Sequence, residues 1–169
     1  EDAGTPFASS VTQITFGKDV ERIPENLCSK LKNLTSVVLP ESLKEIGGSA
    51  FSYTGLKSVH IPDRVKSIES YVFEGCEALK EAVMGKEINY IGYSAFNSCS
   101  ALENIVIPEN VDSIAGFAFS DCSALTSIVI PDNVEVIDDH AFSDCEKLVS
   151  LTMGKKVRKI CLLYTSPSP

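Results

Sequence analysis

Tryptophan is absent from the chain, and histidine occurs only twice, at His60 and His140. So thin a supply leaves little room for a zinc enzyme or a Ser-His-Asp hydrolase, whose chemistry rests on histidine. Lysine and arginine total 15 against 23 acidic side chains, a formal net charge of −8. A nucleic-acid binder would carry a basic footprint instead. No apolar run approaches the ~18 residues of a membrane-crossing helix. G-x-S-x-G, H-E-x-x-H and the D-x-D-x-D-G calcium loop are all missing, and no glycine-rich turn precedes Gly85-Lys86. An enzyme is not expected, and neither is a cofactor or a metal. Apolar residues, by contrast, make up 44% of the 169 positions. That composition excludes a disordered chain and suits one domain.

The apolar residues recur. One row runs Ile23, Ile46, Ile68, Ile91, Ile114, Ile137, Ile160, in steps of 23 residues with a single step of 22. A second runs Val11, Leu34, Leu56, Leu79, Leu102, Leu125, Leu148. A third is Phe51, Phe73, Phe96, Phe119 and Phe142, with Cys28 in the first repeat's slot. The unit reads L-x-x-I-x-I-P-x-x-V-x-x-I-x-x-x-A-F-x-x-C-x-x over residues 11 to 160, about seven repeats. Repeat two is one residue short between Phe51 and Leu56, a deletion that a loop is expected to absorb at small cost.

Each repeat opens on a short alternating segment, as at Leu125, Ile128 and Ile130, which predicts a strand. Pro40, Pro62, Pro108 or Pro131 ends it, since proline cannot donate to a ladder. Gly17, Gly85 and Gly154 take that place in every third repeat, each followed by lysine. A second extended piece holds Val134 and Ile137, and the Ala-Phe pair is placed in a turn or one helical turn. No single unit can bury its own apolar rows, so the units must stack. Parallel strands about 4.8 Å apart would then line the stack.

The unit at Ala124–Glu146, repeated at Ala101–Ser123, resembles the BspA-type leucine-rich repeat, because proline, the Ala-Phe pair and cysteine all recur in register. The resemblance implies a leucine-rich-repeat solenoid. It would be curved and right-handed, mainly β, with short parallel strands on the concave side and short helical or 3₁₀ turns. It also implies a secreted or cell-surface recognition or adhesion protein. Its ligand would be a protein or glycan on another cell or matrix, bound by a monomer with no membrane-spanning segment. A structural spacer or display repeat within a larger surface protein is the alternative. Only Asn110 and Asn133 fall near the usual asparagine ladder position, so that ladder is not carried over.

In such a repeat the residues flanking the strand's buried position face the concave surface. The candidate partner-binding residues are therefore Ser58, His60, Glu81, Val83, Asn104, Val106, Ser127 and Val129. The valines are read equally as strand formers and as an exposed apolar stripe that marks partner contact. Residues 102 to 147 carry ten acids against Lys147, read chiefly as solvated loops, with a patch for a basic partner or a weak calcium site near Asp121, Asp138, Asp139 and Asp144 as the alternatives. His140 occupies a variable slot and is read as a surface histidine. Cys76, Cys99, Cys122 and Cys145 recur every 23 residues and are read as a ladder of small buried thiols. Zinc and neighbour-to-neighbour disulfides are the alternatives.

Residues 1–10 form an N-terminal flank without a signal-peptide pattern, as in a processed or partial chain. Residues 161–169 break the template at once and resemble a translated sequencing-adapter stretch. This tail is expected to be non-native, with further repeats in the natural protein.

Overall fold

The structure is a computed structural model that describes residues 5–160. The expectation for the tail at 161–169 lies outside the described residues. Each repeat opens on one strand: β1 (Gln13–Thr15), β3 (Ser36–Val38), β5 (Ser58–His60), β7 (Glu81–Val83), β9 (Asn104–Ile105), β11 (Ser127–Val129) and β13 (Ser150–Thr152). A two-residue strand follows in each: β2 (Arg22–Ile23), β4 (Glu45–Ile46), β6 (Ser67–Ile68), β8 (Tyr90–Ile91), β10 (Ser113–Ile114), β12 (Val136–Ile137) and β14 (Lys159–Ile160). Every pairing is parallel and joins equivalent residues of successive repeats, as in Glu81↔Asn104 and Ile114↔Ile137. The chain is thus a parallel β-solenoid whose strands are too short to stand alone and are held by stacking.

The core consists of the rows that recur in the sequence. Leu34, Leu56, Leu79, Leu102 and Leu125 are fully buried, as are Ile68, Ile91 and Ile114. Phe51, Phe73, Phe96, Phe119 and Phe142 form a continuous column of near-parallel rings, with centroids 5.8, 5.3, 5.4 and 5.4 Å apart. That offset stacking is a favoured geometry for aromatic pairs.

The expected helical or 3₁₀ turns are not found: among the described residues the Ala-Phe segments are turns. Two residues per repeat explain this. Ser94 and Ser98 sit at φ 53° and 59°, Phe117 and Asp121 both at 56°, and His140 and Asp144 at 58° and 56°. A helix needs consecutive right-handed residues, and the left-handed ones interrupt it. They turn the backbone N–H groups along the solenoid axis instead. Phe96 N–H donates to the Ala118 carbonyl at 2.8 Å, and Ser98 N–H to the Ser120 carbonyl at 2.9 Å. This third side is therefore a ladder between repeats as well.

The one-residue deletion in repeat two is not silent. β3 does not pair with β5, and β4 does not pair with β6, so both strand ladders stop between repeats two and three. At Gly55 a Cβ would lie 2.3 Å from the Lys32 carbonyl oxygen, which shows how tightly the shortened connection is drawn onto its neighbour. Only the turn-side ladder crosses intact, through Ser49 N–H to the Ser70 carbonyl, Phe51 to Val72 and Tyr53 to Glu74. The opening strands have a second interruption, between β9 and β11.

Candidate functional site

The alternation within the opening strands sorts their side chains. Val59, Ala82, Ile105 and Ile128 point into the core and are buried. Their flanking residues point out, and Ser58, His60, Glu81, Val83, Asn104, Val106, Ser127 and Val129 are all exposed on one face. Parallel register sets them in two columns: Ser58, Glu81 and Asn104 in one, His60 and Val83 in the other. The second column is apolar over most of its length. Val38 is 55% exposed, Val83 42%, Val106 81% and Val129 62%.

Val106 stands out because the ladder fails beside it. β9 ends at Ile105, one residue earlier than its neighbours, so Val106 is not clamped between strands. Two clefts open on either side. One, of about 490 Å³, is lined by Val83, Met84, Lys86, Asn104, Val106 and Glu109. The other, of about 290 Å³, lies among Val106, Ile107, Ser127 and Val129. The sequence carries no signal for this interruption: repeat five keeps its full length and its Ile-Val-Ile-Pro run.

The rim is ordered by a motif whose parts the sequence shows but whose pairing it does not. Asp63 accepts from the Lys86 backbone N–H at 3.1 Å and pairs with Lys86 Nζ at 2.8 Å. Asp132 does the same with Lys155, at 3.1 and 3.0 Å. The Gly-Lys pairs at 85–86 and 154–155 therefore each answer a Pro-Asp in the repeat before, whereas Lys18 pairs with its own neighbour Asp19 at 3.8 Å. The lysine holds each carboxyl below its ordinary range. Asn110 and Asn133 also reach back across one repeat, to the carbonyls of Lys86 and Glu109, both at 2.8 Å. They are exposed clips, distinct from a buried asparagine ladder.

Cys76, Cys99 and Cys122 are buried and Cys145 is half-buried, all as free thiols. Each Sγ donates to the phenylalanine carbonyl of the preceding repeat, at 3.1–3.3 Å: Cys76 to Phe51, Cys99 to Phe73, Cys122 to Phe96 and Cys145 to Phe119. Thr54 fills this slot in repeat two. It is buried and donates to the Phe51 carbonyl of its own repeat at 2.9 Å, so the slot takes a small donor shielded from solvent. Among the described residues no group of His, Cys, Asp or Glu could hold a metal. Burial pushes the Cys28 thiol up to about 12 and Cys145 up to about 11, and raises Cys76, Cys99 and Cys122 as well. The thiolate is the reactive form. We therefore expect Cys28, Cys76, Cys99 and Cys122 to escape alkylation by iodoacetamide at pH 8 until the chain is unfolded. Peptide mapping by mass spectrometry checks this, and native labelling of Cys99 at the rate of an unfolded thiol would contradict the buried ladder.

His140 is half-buried and stacks on Phe117, with ring centroids 4.9 Å apart. No helix among the described residues is long and apolar enough to cross a membrane.

The profile of the BspA type Leucine rich repeat region matches this chain in 6 copies, over residues 7–126 and 45–162. Among solved structures, the leucine-rich repeat protein of T. pallidum is similar at 28% identity with a TM-score of 0.81, covering 89% of this chain and 72% of that one. A leucine-rich repeat protein from Eubacterium ventriosum aligns at 24% identity and TM-score 0.74, covering 87% of this chain and 40% of its own. The pneumococcal vaccine antigen PcpA aligns at 20% identity and TM-score 0.60, covering 87% of this chain and 52% of its own. These last two support the shared fold, and this chain spans about half their length or less. No curated protein matches. The 23-residue unit, the parallel solenoid and the profile match lead to one conclusion: the chain belongs to the BspA-type leucine-rich repeat family.

Proposed function

We propose that this chain is a recognition module that binds a protein or glycan through the outward face of its opening strands, and that it performs no chemistry. The exposed valine column carries the reading. Monomeric soluble proteins seldom leave large apolar side chains contiguous on a surface unless something covers them. Here Val83, Val106 and Val129 lie beside clefts, with Ser58, His60, Glu81, Asn104 and Ser127 offering hydrogen bonds alongside. An apolar strip with polar neighbours is the layout of a contact surface. The surface-type family supports an extracellular or cell-surface setting, with the ligand on another cell or on matrix.

The test is capture of partners from host-cell surface and matrix extracts by the chain and by its Val83→Glu, Val106→Glu, Val129→Glu variant. These side chains are exposed, so circular dichroism and melting should match the parent, each change staying within about 0.5 kcal/mol. The expected result is a partner held by the parent and lost by the variant. Equal capture would move the contact elsewhere, and no capture by either would favour a spacer.

A further inference from the structure

A second surface lies on the turn side, away from the valine column. Tyr71, Tyr93, Phe117 and His140 form an outer row of rings with successive centroids 5.5, 5.6 and 4.9 Å apart. It is separate from the buried phenylalanine column. Tyr71 is 38% exposed and Tyr93 41%, while Phe117 and His140 are half-buried. The fold does not ask for these rings. Tyr71, Phe117 and His140 share a left-handed slot, with φ between 56° and 63°, that Asn26, Ser49 and Ser94 fill in other repeats. A bulky side chain in that conformation costs on the order of 1 kcal/mol or more. The Tyr93 ring lies over Gly116, where a Cβ would sit 3.4 Å from it and 3.1 Å from the Asp139 carbonyl oxygen.

From Tyr93 to His140 the chain that carries this row has charge of one sign. Residues 87–146 contain no lysine or arginine, and they hold 11 acids, counting Glu87 with the ten between 102 and 146. Asp138 and Asp139 immediately precede His140 on the row, and the Asp139 carbonyl accepts the Phe117 N–H at 3.0 Å. Ring faces carry negative potential and carboxylates carry negative charge, so both favour a cation. Guanidinium suits the pair best, because it stacks flat on a ring while forking onto a carboxylate.

We propose that the Tyr71–Tyr93–Phe117–His140 row and its flanking aspartates form a second binding surface for an arginine-rich protein segment. The probe is a fluorescently labelled nona-arginine peptide, titrated into the full chain by anisotropy, with nona-lysine of equal charge as comparison. Nona-arginine should bind the tighter of the two. Tyr71→Ser, Tyr93→Ser, Phe117→Ser places in each slot a residue that sibling repeats already carry, and should weaken nona-arginine roughly tenfold or more while leaving nona-lysine nearly unchanged. Tyr93→Ser alone is the second variant should the triple one lose its fold, and it should show the same selective loss in smaller degree. The valine-to-glutamate variant should not weaken arginine binding, which keeps this surface distinct from the first. Equal binding of the two peptides, an unaltered arginine affinity after ring removal, or binding of neutral oligosaccharides in place of the peptide would each overturn the proposal.

Discussion

Replacing Phe96 with alanine is expected to cost the folded chain about 3–5 kcal/mol, the range seen when a large core aromatic is truncated. Phe96 is fully buried and stacks on Phe73 at 5.3 Å and on Phe119 at 5.4 Å. Both contacts bridge repeats. In a solenoid the interfaces between neighbours carry most of the stability, so one truncation weakens two of them together. The cavity cannot collapse readily, because its walls are the laddered turns of repeats three and five. Phe142 supplies the internal comparison. It stacks on Phe119 at 5.4 Å, it is the last ring of the column among the described residues, and it is 6% exposed. Phe142→Ala should cost distinctly less. Urea unfolding followed by far-UV circular dichroism measures both, and equal losses would mean that repeat-to-repeat stacking is not what holds the column.

Gly85→Val is expected to destabilise by about 3 kcal/mol, at the upper end for overpacking. A Cβ at Gly85 would meet the Pro62 carbonyl oxygen at 2.2 Å and its carbon at 2.6 Å. These are backbone atoms that cannot swing aside. Moving them would also pull Asp63 from the Lys86 N–H that it accepts. Gly17 occupies the same slot of the repeat, yet nothing lies within 4 Å of its would-be Cβ. Its φ is not in the left-handed region, so Gly17→Ala should stabilise by about 0.4–1 kcal/mol, through the entropy of the unfolded chain. Opposite shifts in melting temperature from the one slot are the expected pattern. A Gly85→Val chain that melts with the parent would show that the two repeats do not approach as closely as described.

Most of the fold can be read from the rows of Leu, Ile and Phe, because a shared step of 23 leaves stacking as the one way to bury them. The exposed columns follow from the same arithmetic, since alternation about Val59, Ala82, Ile105 and Ile128 fixes which neighbours face outward. Besides the break between β9 and β11, three features were not legible. Left-handed backbone at Tyr71 or Phe117 has no residue signature, as neither type prefers it, so the sequence left a turn and one helical turn both open for the Ala-Phe pair. The Gly-Lys recurrence was visible, but its cause lies in Pro62-Asp63 and Pro131-Asp132, one repeat earlier, where periodic reading does not look. The outer ring row zigzags between two slots, with Tyr93 one position off the column of Tyr71, Phe117 and His140. A search for exposed aromatics in adjacent columns, beyond those in a single one, would have found it.

The short second repeat has a mechanical consequence. Both strand ladders lapse between repeats two and three while the turn-side ladder crosses whole, from Ser49, Phe51 and Tyr53 to Ser70, Val72 and Glu74. The junction is built like the spine of a book, fastened along one edge, with Lys57 N–H to the Thr35 carbonyl at 3.3 Å remaining on the opening-strand side. Bending that spreads the strand sides opposes fewer backbone hydrogen bonds there than where the ladders are whole, whereas bending toward them compresses packed side chains. The compliance of the rod is therefore directional and concentrated at one joint. A load applied across the molecule should first tilt the two N-terminal repeats as a unit, before any repeat unravels.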